Sequence, residues 1–339
     1  MLPAIQSPII DLIQFLNRDR KKKVVVVGYG WGGASFANNI DNTKYNVTIV
    51  SKTKSRFNQP YIIAHLEPSF TDPPSATEII EDEALLVDDT KQILQCSKNN
   101  YSYDYLIIST GSEPNDFGVK GVKEHCLMFK TGSDLNILND KLKTNSHITI
   151  IGAGPTGIEL AFKISSLGKT VTILEASNQI LPGFSDSMRK LVMDRLAENK
   201  ITVKTATQIK AVFATGYLSQ NANVDDNSIK IWTCGIKPVE FARKFMPRIN
   251  PNVYLEIKPR IYAIGDSIIG YGPPTAQNAK AQGKYLAERF NSDFKIDAPY
   301  TYVEKGRVID AASCLIVEYN GYVLTLPSLF RIVYQTLTQ

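Results

Sequence analysis

Three glycines recur along this chain at a single spacing: Gly152, Gly154 and Gly157 each lie 124 residues after Gly28, Gly30 and Gly33. The apolar run 24–27 leads into Gly28-Tyr-Gly30-Trp31-Gly-Gly33, and the apolar run 148–151 leads into Gly152-Ala-Gly154-Pro155-Thr156-Gly157. A continuous apolar run, rather than an alternating one, marks a strand buried on both faces, as in a parallel sheet. The spacing persists without a gap through Ala37 and Ala161, Val47 and Val171, Thr48 and Thr172, and Ile49 and Ile173. The runs 47–50 and 171–174 are therefore second strands, and each copy is a strand, glycine turn, helix and strand. Two copies of one βαβ unit predict an α/β protein with two Rossmann-type halves.

The glycines have distinct physical jobs. The first permits the tight strand-to-helix turn, the second lets backbone approach a pyrophosphate, and the third lets the helix pack closely on the strand. The helix then offers unpaired N–H groups and a positive dipole end to that pyrophosphate. One such motif is weak evidence, whereas two in register and in βαβ context predict two dinucleotide sites. Trp31 in the first turn and Pro155 and Thr156 in the second count with their glycines as candidate binding residues. The position after the second strand is the one expected to read the adenosine ribose. In the second copy it is Glu175, whose carboxylate can accept from both ribose hydroxyls and repels a 2′-phosphate. No arginine follows in Ala176-Ser177-Asn178, which favours NADH over NADPH. In the first copy the position holds Ser51, a hydroxyl instead of an acid. Lys52, Lys54 and Arg56 follow it and read as solvated surface, with a phosphate grip at this site as the less favoured alternative.

Two further segments suit a flavin. A strand from Tyr103 ends in Ser109-Thr110-Gly111, small residues that let backbone pass close to a ligand. Another, from Arg260, ends in Gly265-Asp266, where the acid could accept from a ribityl hydroxyl. Taken alone, Gly-Asp is more often a turn, but open α/β sheets bind ligands at strand carboxyl ends. Pro273-Pro274-Thr275-Ala276-Gln277 follows, with proline suited to a first helical turn, and a helix start there would stabilise negative charge on a reduced flavin.

Composition removes several classes of function. With 43% hydrophobic and 21% charged residues in 339, the chain is a folded protein large enough for two domains. The net charge of +5, with its one dense basic cluster at 18–23, lacks the footprint of a nucleic-acid binder. Cys96, Cys126, Cys234 and Cys314 form no C-x-x-C pair, which argues against zinc, structural disulfides and a redox dithiol and suits a reducing, intracellular compartment. No apolar run reaches the roughly 20 residues a membrane span needs. In the first twenty residues Ile9, Leu12, Ile13 and Leu16 sit at helical spacing beside Asp11 and Asp19, which fits neither a secretory signal nor a transit peptide and reads as a packed helix in preference to a membrane-surface anchor.

From about Lys23 onward the chain resembles the type II NADH dehydrogenases, the single-chain NADH:quinone oxidoreductases of the two-dinucleotide flavoproteins. Gly154-Pro-Thr-Gly-Ile-Glu159 and Pro273-Pro-Thr-Ala-Gln277 carry the resemblance most specifically, with Ile231-Trp-Thr-Cys-Gly235 and Ile264-Gly-Asp266 in support. Eukaryotic members are similar even at Ser51. The resemblance implies FAD at the Gly28 turn and NADH at the Gly152 turn, with the NADH domain inserted in the FAD domain. The boundaries are a helical leader over 1–20, FAD-binding parts at 21–116 and 238–297, the NADH domain at 117–237 and a short C-terminal segment at 298–339. Gly235 and Ala276 join the cofactor contacts. Glu159 would lie between the NADH and flavin sites; a surface helix carboxylate is the plainer reading of the same residue. Gln277 would open the helix beside flavin and quinone, while a second glutamine common one turn later is here Ala281, next to Gln282. The family continues into amphipathic membrane-binding helices, and Leu329, Phe330, Val333 and Leu337 form one apolar face that fits either such an anchor or a packed surface helix. A peripheral membrane contact and a homodimer belong to the same expectation. Two other readings stand beside it: a soluble flavin reductase or NADH oxidase resembling ferredoxin reductases or apoptosis-inducing factor, and a degenerate nucleotide-binding redox sensor.

Overall fold

The computed structural model describes residues 20–71, 77–245 and 252–331; apart from Arg20, the expected helical leader lies outside them. The chain divides into two compact units. One comprises Met1–Arg56, Asp72–Gly111 and Pro238–Tyr302, the other Phe57–Thr71, Ser112–Lys237 and Val303–Gln339. Each is an α/β unit built on its own parallel sheet.

In the first unit six strands lie in the order Glu256–Lys258, Ile261–Ala263, Tyr105–Ile108, Lys22–Val27, Tyr45–Ser51 and Glu78–Glu81. All neighbours are parallel except the Glu256–Lys258 edge, which runs antiparallel to Ile261–Ala263. The valine run shows why the sheet is sandwiched. Side chains alternate between faces, so Val24 and Val26 enter a core with Phe36 and Phe290, while Val25 and Val27 enter another with Leu94 and Ala242. The first face is covered by the Trp31–Asn39 and Ala276–Asn291 helices, whose Phe36 and Phe290 rings meet edge to face at 5.4 Å. Each of these fully buried phenylalanines contributes roughly 2–3 kcal/mol of hydrophobic burial. The helices approach closely because Gly283 is a glycine: a Cβ there would lie 2.3 Å from the Gly32 carbonyl oxygen.

In the second unit five parallel strands run in the order Cys126–Leu127, Ile229–Trp232, His147–Ile151, Thr170–Leu174 and Thr202–Lys204. The Pro155–Ser166 helix buries Ile158, Leu160, Phe162 and Ile164 against it. The Gly132–Thr144 helix adds Leu135 and Leu138 to that core. Its start is secured by a capping box: Thr131 Oγ1 accepts from Asp134 N at 3.3 Å, and Asp134 Oδ2 accepts from Thr131 N at 2.6 Å. An antiparallel sheet of Arg307–Asp310, Cys314–Tyr319 and Tyr322–Pro327 also belongs to this unit, with its first strand against the Pro155–Ser166 helix.

The 124-residue repeat holds at the level of single hydrogen bonds. Gly28 N donates to Val50 O and Gly152 N to Leu174 O, both at 2.8 Å. Ala34 N donates to Gly30 O and Ile158 N to Gly154 O, both at 3.0 Å. The duplication also reaches further than the glycine turns. Ser109 N donates to Val27 O at 2.8 Å and Thr233 N to Ile151 O at 2.9 Å, and Gly111 and Gly235 follow at the same spacing.

Candidate dinucleotide sites

Both glycine turns are built as cradles. Gly28 and Gly152 have φ of +103° and +110°, values L side chains rarely adopt. A Cβ on Gly28 would lie 2.4 Å from the Ser109 carbonyl oxygen, and one on Gly33 would lie 2.3 Å from the Gly28 carbonyl oxygen. On Gly157 it would lie 2.1 Å from the Gly152 carbonyl oxygen. The middle glycines differ: Gly154 has nothing within 4 Å of a Cβ position, and Gly30 meets only Ser109 O at 3.9 Å. These two are the N-caps of the Trp31–Asn39 and Pro155–Ser166 helices, and neither offers a side-chain cap. First-turn N–H groups beside open space, at a helix dipole's positive end, suit a pyrophosphate. The cradles thus fit the dinucleotides the sequence implies.

The residues after the second strands do equivalent work. Ser51 Oγ accepts from Tyr29 N at 3.3 Å, and Glu175 Oε2 accepts from Ala153 N at 2.8 Å; Tyr29 and Ala153 are the same turn position in the two copies. A hydroxyl can therefore tie down the first turn as the acid ties down the second. Glu175 Oε1 also accepts from Ser177 N at 2.8 Å and Ser177 Oγ at 2.9 Å. Each carboxylate oxygen retains acceptor capacity, and these bonds fix the orientation of the side chain.

In the first unit the carboxyl ends of three neighbouring strands converge. Ser109 N reaches Val27 O, and Ile264 N reaches Ile108 O at 3.0 Å, so Gly28, Thr110, Gly111, Gly265 and Asp266 share one end of the sheet. Ser267, a residue the sequence reading passed over, joins them: its Oγ accepts from Gly111 N at 3.0 Å and lies 3.3 Å from Thr110 Oγ1. Gly265 has φ +67° and its N–H donates to Gln282 Oε1 at 2.6 Å. Gln282 is 1% exposed and its Nε2 donates to Tyr271 O, so it serves the packing of this turn. The Ala276–Asn291 helix starts later than the prolines suggest. Thr275 is the N-cap, accepting from Asn278 N at 3.1 Å, and Pro273 and Pro274 precede the cap. Ala276 and Gln277 are half-buried in the first turn, with Tyr302 Oη 3.4 Å from Gln277 Oε1.

Arg56 departs from its reading as solvated surface. Lys52 and Lys54 are exposed, but Arg56 is buried. Its guanidinium lies 3.9 Å from the Trp31 ring centroid, and Lys280 Nζ lies 4.6 Å from the same ring. The indole face attracts both cations. Burial, with Arg56 nearby, pulls the Lys280 ammonium down to about 8. A run of basic residues gave no sign of this, because the partners come from other elements.

In the second unit Gly152, Gly154, Pro155, Thr156, Gly157, Glu175 and Gly235 gather at the carboxyl end of the sheet. Thr233 Oγ1 donates to the Gly152 carbonyl at 3.0 Å, and Gly235 has φ +58° with Phe117 packed where a Cβ would point. Glu159, one turn into the same helix, is not a plain surface carboxylate. It is half-buried, accepts from Asp310 N at 3.1 Å, and burial pushes its carboxyl up to about 8, with the charge of Asp310 adding to the rise. The four cysteines are unpaired thiols. Burial pushes Cys96, Cys126 and Cys234 up to about 12, which removes thiolate chemistry at these three near neutral pH. Of the apolar C-terminal face, Leu329 and Phe330 are exposed in a Ser328–Phe330 turn; Val333 and Leu337 lie outside the described residues. Among the described residues no helix is long and apolar enough to cross a membrane, and no cluster of His, Cys, Asp and Glu could hold a metal.

Comparison with known proteins agrees with this architecture. The family model for pyridine nucleotide-disulphide oxidoreductases matches residues 22–283. The chain is 28% identical over 353 residues to the mitochondrial external NADH-ubiquinone oxidoreductase 2 of Saccharomyces cerevisiae, covering 84% of this chain and 65% of that protein. It thus spans a little under two thirds of that relative's length. It is 25% identical over 351 residues to the mitochondrial internal alternative NAD(P)H-ubiquinone oxidoreductase A1 of Solanum tuberosum, covering 82% and 70%. Among solved structures, the NDH2 of Plasmodium falciparum in complex with NADH superposes with a TM-score of 0.84 at 19% identity, over 94% of this chain and 95% of that one. A ferredoxin reductase of Rhodopseudomonas palustris gives 0.76 at 18% identity, over 88% and 82%.

Proposed function

The chain belongs to the pyridine nucleotide-disulphide oxidoreductase family, and from that premise we propose that it is an FAD-dependent NADH dehydrogenase that delivers electrons to a quinone without pumping protons. The observation carrying this reading is the repeated cradle: two glycine turns with the same hydrogen bonds, one closed by Ser51 and the other by the acid Glu175. When bound, FAD supplies the redox chemistry, accepting hydride from NADH and releasing electrons to the acceptor.

The rest is the work of this chain's residues. The N–H groups of the Trp31–Asn39 first turn hold the FAD pyrophosphate, and Thr110, Gly111 and Asp266 line the same sheet end. The N–H groups after Gly154 hold the NADH pyrophosphate, and Glu175 takes the ribose hydroxyls and rejects a 2′-phosphate. Glu159, whose carboxyl burial raises to about 8 and so favours in its protonated form near neutral pH, donates a proton beside NADH. Gln277 stands at the acceptor end of the Ala276–Asn291 helix. The unpaired cysteines, with the raised thiols of Cys96, Cys126 and Cys234, speak against internal dithiol chemistry. In the same reading the chain contacts an intracellular membrane peripherally, for which exposed Leu329 and Phe330 speak, and the family resemblance carries a homodimer with it.

A second reading, a soluble NADH-dependent flavin reductase or oxidase, is favoured by one observation: position 281 is alanine and Gln282 is spent inside the fold. Steady-state NADH oxidation with ubiquinone analogues, ferricyanide and oxygen separates the two. The quinone reading expects quinone reduction well above the oxygen rate. Turnover with ferricyanide or oxygen but none with quinone would overturn it.

A further inference from the structure

A chain of polar contacts runs from the C-terminal segment to Glu159, entirely within the second unit. The Arg331 guanidinium grips the Asp310 carboxylate with two bonds, Nε to Oδ2 at 2.5 Å and Nη2 to Oδ1 at 2.7 Å, and Nη2 also donates to Ala312 O at 2.6 Å. Asp310 Oδ1 accepts from Ala312 N at 2.9 Å. The Asp310 N–H in turn donates to Glu159 Oε1. The pair is largely out of water, with side-chain exposures of 19% for Arg331 and 9% for Asp310, so its two-pronged geometry is both strong and orienting. We propose that Arg331 is a positioning residue for Glu159, acting through Asp310, whose charge it offsets and whose backbone N–H it holds against the glutamate. This rests on the reading that Glu159 takes part in the NADH half of the reaction.

Other groups near the Pro155–Ser166 helix leave Asp310 as the lever. The elements against that helix are Gln59–His65, His147–Ile151, Thr170–Leu174 and Arg307–Asp310. Tyr61 and His65 on the first stack on each other at 4.1 Å between ring centroids. His147 is exposed at the start of its strand, and Thr170–Leu174 carries no titratable side chain. Arg307 pairs with Glu304 and, at 3.9 Å, with Glu318. The charge that acts on the Glu159 carboxyl is that of Asp310. With Arg331 gone, the Asp310 charge is bare and disfavours an ionised Glu159 more strongly; with Asp310 gone, that repulsion disappears and the Arg331 cation is left nearby.

The test uses the full-length, flavin-loaded protein and two readouts. One is the pH midpoint of the protonated Glu159 carbonyl band by infrared difference spectroscopy, assigned by its loss in Glu159→Gln. The other is the pH profile of flavin bleaching by NADH. Arg331→Gln should raise the Glu159 midpoint by roughly one pH unit and Asp310→Asn should lower it by a similar amount, with Arg331→Lys recovering most of the wild-type value. A general loss of structure cannot move the midpoint in opposite directions, so the pair of variants separates the proposal from misfolding. Unchanged midpoints, or midpoints moving the same way in both variants, would overturn it. If Glu159→Gln leaves the bleaching profile unaltered, the catalytic reading of Glu159 falls, while the infrared midpoints still decide the role of Arg331.

Discussion

Replacing Glu159 with glutamine should make the protein's stability less sensitive to alkali, and the size of the effect follows from its surroundings. The ordinary carboxyl value is 4.5, and burial raises it to about 8 in the folded chain. Between those limits the unfolded chain has released this proton and the folded chain still holds it. The stability attached to the protonated carboxyl is therefore fully present below about 4.5, is lost as pH rises, and is gone above about 8. At 1.36 kcal/mol per pH unit the full span has a ceiling of about 5 kcal/mol. Glutamine carries no charge at any of these pH values and can still accept from Asp310 N. Urea unfolding of wild type and Glu159→Gln between roughly pH 5 and pH 9 should give similar stabilities at the acid end and a gap of about 2–5 kcal/mol in favour of the variant at the alkaline end. Two stability curves that stay parallel across this range would mean that the carboxyl ionises as readily folded as unfolded, contrary to its burial in the folded chain.

Three further substitutions address the cradles and the scaffold. Gly28→Val should abolish flavin incorporation, since the new Cβ meets the Ser109 carbonyl at 2.4 Å and φ is +103°; the flavin absorbance of the purified variant measures this. Glu175→Arg should raise the KM for NADH by about tenfold or more, at roughly 1.4 kcal/mol per decade, while flavin content stays at the wild-type level; normal NADH affinity would place the ribose elsewhere. Thr131→Ala removes one arm of a capping box and should cost about 1 kcal/mol, read as a lower thermal midpoint with cofactor content unchanged.

The parts of the fold most legible in the sequence are those dictated over short range. A glycine that must take φ above +100°, as Gly28 at +103° and Gly152 at +110° do, leaves its mark at one position, and a strand buried on both faces writes itself as an unbroken run of valines or isoleucines. The extension of the repeat to Ser109 and Thr233 was available too, because Gly111 and Gly235 keep the 124-residue spacing; its signal is weak, since hydroxyl and small residues there differ between copies. Arg56 was not legible. Whether a basic residue is solvated depends on what packs over it, and Trp31 and Lys280 come from distant parts of the chain. Gln282 illustrates the same limit on one helix: adjacency to position 281 says nothing of which side chain faces the turn at Gly265. The link from Glu159 to Asp310 crosses 151 residues, and no local pattern announces it.

We propose that one chain holds FAD and NADH in its two repeated cradles and passes electrons onward to a quinone. An anaerobic absorbance spectrum of the purified protein, recorded before NADH, after NADH and after a quinone is added, tests it most directly. The expected result is a flavin spectrum at the outset, bleaching within the mixing time on adding NADH, and recovery of the oxidised spectrum on adding quinone. A protein that purifies with no flavin and takes up none, that fails to bleach with NADH, or that stays bleached when quinone is supplied would contradict it.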